Sequence, residues 1–187
     1  MSSRRVVPPF VERASRYELS GVLAAAAVLV AATLIRYGVG GEGIAWSFCQ
    51  LLLVAIAWVD VRTRLIPTGF LVFAAGAFVA LRSVYAPHAL AQTIAAGVIA
   101  FAVFLGLTLL LKGGVGMGDV ELVGFLGLML GTDVVVALLV GCFAGALAAL
   151  ALLVLRRASL RSTFAYGPYL VLGASLAIVI ASPPPLV

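Results

Sequence analysis

The sequence predicts an all-α fold, a polytopic membrane helix bundle of about seven transmembrane helices. Three observations carry this. First, 64% of the 187 residues are hydrophobic and 10% are charged, whereas soluble domains are roughly half apolar and a quarter charged. So apolar a chain needs lipid as its solvent. Second, the apolar residues fall in seven runs, at 19–35, 44–59, 67–81, 89–111, 120–130, 134–155 and 165–181. Sheet edges cannot be satisfied in lipid, so the runs read as helices. Third, the basic residues are one-sided. If the chain crosses at each run, Arg4, Arg5, Arg13, Arg16, Arg62, Arg64, Lys112, Arg156, Arg157 and Arg161 share the N-terminal face, while Arg36 and Arg82 fall on the other. That bias predicts a cytoplasmic N-terminus and an extracytoplasmic C-terminus. The net charge of +5 therefore reads as membrane orientation, and no nucleic-acid partner is expected.

Residues 1–18 read as a polar cytoplasmic lead, 19–181 as one membrane-embedded domain, and 182–187 (SPPPLV) as a disordered tail. The first helix reads as an uncleaved anchor, because its polar lead is long and no clear cleavage pattern follows. Asp60 ends the second helix and Pro67 opens the third. The fifth helix is short: 13 residues from Asp119 to Gly131 cover roughly 20 Å at 1.5 Å each, against a hydrocarbon core of about 30 Å. Glycines at 113, 114, 116 and 118 suit a loop that dips into the protein. Irregular backbone at that depth needs burial or water, so a small wet cavity is expected with Asp119 on its wall. Gly127 with Gly131, and Gly141 with Gly145, are four apart and suit close helix packing. Cys49 and Cys142 sit in apolar runs without a C-x-x-C pair. They read as small buried residues. His88 stands alone, so neither a metal nor a cofactor is expected.

Of the seven acids, Glu12 and Glu18 lie in the lead, and Glu42 and Asp133 on the far side. Asp60, Asp119 and Glu121 remain at one face. The glycine loop is no phosphate cradle, since Asp119 follows Gly118 where a P-loop needs lysine and then Ser or Thr. Structurally, Asp119 could be a helix N-cap, and Asp60 could pair with Arg62 or Arg64. Chemically, two facing carboxylates can share a proton. One then acts as base toward water, and the other protonates or polarises a carbonyl. Acids at membrane depth are functional candidates by default. A proton-coupled transporter would also use them, and a non-catalytic scaffold is the blander alternative. Two acids at one face without inverted repeats fit a one-sided reaction better.

GMGD at 116–119 resembles the GxGD motif of the membrane aspartic proteases that cleave type IV prepilins. Asp60 with Ile66 and Pro67 resembles the first catalytic aspartate and downstream Ile-Pro of that family. FAYGPYLVLGA at 164–174 resembles the Gly-Pro stretch of its last helix. The resemblance implies a leader peptidase of the inner (plasma) membrane, with prepilins or pilin-like subunits as partners. It implies Asp60 and Asp119 as the catalytic pair, and Gly116, Gly118, Glu121, Pro67, Gly167 and Pro168 as residues that shape the loop or bind substrate. The paired C-x-x-C motifs of the larger, N-methylating members are absent, so the likeness is to the short, peptidase-only branch. Glu121 stands where relatives usually carry lysine.

Overall fold

The computed structural model describes residues 9–63, 66, 68–110, 116–155, 166–181 and 183–186. Among them there is no strand, and seven α-helices run in order. Helix α1 (Pro9–Tyr37) begins inside the expected polar lead. Residues 9–18 are helical and continue unbroken into the apolar segment, because the Glu, Arg and Ala residues there are good helix formers. Helix α2 (Gly41–Thr63) carries Asp60 in its last turn. Helix α3 (Thr68–Tyr85) is separated by Ala86 from α4 (Pro87–Leu110). Proline suits the first position of α4, since its missing N–H would have had no partner there. Helix α5 (Met117–Leu130) is followed by a 3-10 turn (Gly131–Asp133), then α6 (Val134–Val154) and α7 (Gly167–Ile180).

Five stretches are long and apolar enough to cross a membrane: Leu19–Tyr37, Gly41–Thr63, Thr68–Tyr85, Pro87–Leu110 and Met117–Ala151. Helix α7 is apolar but shorter. Large apolar side chains such as Phe48, Phe73, Leu109 and Phe143 are exposed, as expected of a bundle whose outer face meets lipid. The chain is a multi-pass membrane protein.

Helix α5 is the inner element. Val120, Leu122, Val123 and every residue from Phe125 to Leu130 are buried, which is the mark of a helix apolar on all sides. It packs on α4 most closely, and also on α3, α6 and α7. A Cβ on Gly127 would lie 2.8 Å from the Ala96 carbonyl oxygen, so the backbones of α4 and α5 touch. Helices α6 and α7 meet in the same way, with Gly141 against Tyr169 and Gly173 against Ala137. The other residues of the two glycine pairs do different work. Gly131 ends α5 at φ +61°, ψ −134°, a conformation strained for any side chain. Gly145 faces the ring of Tyr166.

The far end of the bundle departs from expectation in two ways. Arg82, expected as a charge beyond the membrane, is fully buried in the last turn of α3. Its Nη2 donates to the carbonyls of Pro184 (2.9 Å) and Met129 (3.4 Å), and its guanidinium lies 5.1 Å from the Phe78 ring centre. The tail, expected to be disordered, is docked over residues 183–186. Leu186 is 1% exposed and belongs to the main apolar core. Its N–H donates to both carboxylate oxygens of Glu42, at 2.9 and 3.2 Å.

Candidate active site

The opposite end of the bundle gathers the last turn of α2, the start of α5 and the start of α7. Asp60 is 5% exposed. Its Oδ2 accepts the backbone N–H of Gly167 at 3.1 Å. This contact requires glycine: a Cβ at 167 would stand 2.5 Å from Oδ2 and 3.0 Å from Cγ of Asp60. Pro168 follows at the second position of α7, where a proline ring is tolerated and no N–H is lost. Arg62 lies 4.4 Å over the ring of Trp58, and Arg64 lies outside the described residues.

Asp119 is half-buried in the first turn of α5. It is not the N-cap that the sequence suggested. Gly116 takes that place, and the Asp119 N–H donates to the Gly116 carbonyl at 3.1 Å. Asp119 is the third helical residue, and its carboxylate reaches back to the Gly116 backbone N–H. That is the acidic half of a capping box. A Cβ on Gly116 would lie 3.3 Å from Asp119 Oδ2. One residue on, a Cβ on Gly118 would lie 3.2 Å from the Cβ of Ile66. Gly118 thus stands directly against Ile66 of the α2–α3 connection. Asp60 stands close enough to Asp119 for its charge to act there. Residues 60, 66, 116, 118, 119 and 167, scattered along the sequence, are brought to one place.

One expected site residue, Glu121, lies off this pair, and another is not described. Pro67 lies outside the described residues. Glu121 follows Asp119 by two positions, about 200° round the helix at 3.6 residues per turn, and its buried Oε2 has no hydrogen-bond partner among the described residues. One residue went unnoticed in the sequence. Tyr166, the residue before α7, lies close enough to Asp119 to feel its charge, touches Cys142, and packs its ring on Gly145. Its signal was its place directly before the Gly-Pro pair. Among the described residues no three His, Cys, Asp or Glu side chains gather as a metal site.

A multi-pass helical bundle that seats two carboxylates at helix ends, one beside Gly116 and the other against Gly167, defines a class: membrane proteins with paired acids at helix ends. Residues 47–182 match the type IV leader peptidase family. The match spans most of the chain and includes Asp60, Asp119 and Gly167, and the chain belongs to that family. Its activity is therefore that of a leader-peptidase-like protease. No curated protein and no solved structure was found to match the chain.

Proposed function

We propose that the chain is an aspartic endopeptidase of the GxGD type that removes leader peptides from type IV prepilins or pilin-like subunits. In this reading it spans the inner (plasma) membrane seven times, with its N-terminus and active site at the cytoplasmic face. The observation that carries the chemistry is the convergence of Asp60 and Asp119, each held by one backbone N–H, from Gly167 and Gly116 respectively.

Two close carboxylates hold one proton between them. The ionised one takes a proton from water, and the resulting hydroxide attacks the scissile carbonyl carbon. The protonated one donates to the carbonyl oxygen as it gains charge. The tetrahedral diol then collapses: the carboxylate that gave up its proton takes one back from a diol hydroxyl, the C–N bond breaks, and the proton on the other carboxyl goes to the leaving amine, so the pair again holds one proton. Each aspartate ends able to exchange its proton with the other, so turnover needs no further group from the protein. Fixing both side chains before substrate arrives lowers the cost of reaching the transition state.

Co-expression with candidate prepilins from the same genome tests the activity. The expected result is a size shift matching loss of a short basic leader. Every candidate staying full length would sink the reading. Topology is tested separately with impermeant thiol labelling of Thr63→Cys and His88→Cys, both at exposed positions. The first should label from the cytoplasm and the second from outside, as the distribution of arginines requires. The reverse pattern would place the aspartates at the other face.

A further inference from the structure

We propose that Gln50 is the positioning residue that seats α7 on α2 and so brings the Gly167 amide onto Asp60. That seating stands on geometry; its effect on cleavage rests on the reading of Asp60 and Asp119 as the catalytic pair. Gln50 stands near the middle of α2 and is fully buried. Its Nε2 donates to two other helices: to Thr33 Oγ1 of α1 at 3.3 Å, and to the Ser175 carbonyl of α7 at 3.2 Å. Thr33 and Ser175 are buried as well. The Thr33 hydroxyl already donates to the Leu29 carbonyl at 2.8 Å, so toward Gln50 it accepts. The Ser175 carbonyl has only acceptor sites. Both neighbours therefore require a donor, and a primary amide supplies two N–H groups from one uncharged nitrogen.

The same two helices meet again at the acids. Asp60 follows Gln50 by ten residues on α2, and Gly167 precedes Ser175 by eight on α7. At 1.5 Å per residue these are roughly 15 and 12 Å. The helices thus run antiparallel and are pinned at two heights, once in the apolar interior and once at Asp60. Apolar packing fixes such a register weakly, because lipid tails compete for the same contacts. A directed amide bond fixes it strongly. The cluster is not arranged for stability. Gln50 Oε1 and Ser175 Oγ are buried with no hydrogen-bond partner among the described residues, and such groups are costly. An apolar side chain of similar size would avoid that cost. It would not fix which turn of α7 faces which turn of α2. Gln50 acts through α7, by holding the helix whose first amide holds Asp60.

The experiment reads the Gly167 N–H directly. This amide is the first of α7 and has no acceptor within the helix, so its protection from exchange reports the bond to Asp60. Carbon-13 at the tyrosine carbonyl and nitrogen-15 in glycine single out Tyr-Gly pairs in the NMR spectrum, and the chain has two, at 37–38 and 166–167. In the full-length chain in detergent, Gln50→Leu should speed exchange of the Gly167 N–H by about tenfold or more. The Gly38 N–H, bonded to the Leu34 carbonyl, should keep its rate. Leader cleavage should fall by about tenfold in kcat with KM within about twofold, since an acid is displaced and no substrate contact is removed. Thr93→Val removes a buried hydroxyl that bonds only within its own helix, and should change neither readout. Unchanged exchange at Gly167, or equal acceleration at Gly38, overturns the proposal. Faster exchange at Gly167 with parental cleavage supports the seating of α7 and removes Asp60 from the chemistry. Should Gln50→Leu fail to fold, Gln50→Met, unbranched and flexible like glutamine, is read by the same two amides and the same criteria.

Discussion

Asp60→Asn and Asp119→Asn should each reduce leader cleavage by about 10³-fold or more, the upper range for loss of a general acid or base. The substitution is nearly isosteric. Asparagine at 60 still offers an oxygen to the Gly167 N–H, and asparagine at 119 still offers one to Gly116. Neither change leaves a buried donor without an acceptor, so the bundle should melt close to the parent temperature. What is lost is the shared proton and the negative charge. Cleavage of a co-expressed prepilin, followed over time with the variants at matched membrane abundance, provides the measurement. Activity within tenfold of the parent in either variant would remove that aspartate from the chemistry.

Gly167→Ala should lower the cleavage rate by about 10²-fold, the order expected when a catalytic group is displaced by about 1 Å. The new methyl would stand 2.5 Å from Asp60 Oδ2. Either the carboxylate swings away and gives up the 3.1 Å bond to the amide, or the start of α7 moves outward. Both routes disturb the pair without removing an acid. The stability cost should be about 1–3 kcal/mol, as for other small-to-large changes at packed sites. Gly76→Ala in α3 serves as the control, because no atom lies within 4 Å of the added methyl. A Gly167→Ala enzyme with parental rate would show that the close approach does not set the geometry of Asp60.

The helices were legible because each apolar run is long and its breaks carry Gly, Pro or charge. The boundaries were less so. Helix α1 extends back to Pro9 because the polar residues before Leu19 are themselves helix formers, and hydropathy cannot see that. Asp119 reads equally well as an N-cap or as the third residue of a helix, since an acid is favourable at both. In the structure Gly116 takes the cap, and Ile66 lies against Gly118 in the same turn. The meeting of Asp60 with Gly167 spans 107 positions and that of Glu42 with Leu186 spans 144. No local pattern encodes either. The second of these turns a proline-rich segment that reads as disordered into a docked one. Arg82 was misplaced for a similar reason: a single arginine at the end of an apolar run reads as an anchor in the headgroups. The carbonyls that draw it inward belong to Met129 and Pro184, far along the chain.

The bond between Asp60 and Gly167 also sets a schedule. At synthesis rates of about 5–20 residues per second, the 107 residues separating the two take about 5–20 s to make. Throughout that interval Asp60 already resides in the nascent chain, while the amide that fixes it has not been translated. Asp119 arrives midway and finds its partner untethered. A ribosome-bound chain therefore carries both acids before it carries the α7 amide that holds the first of them.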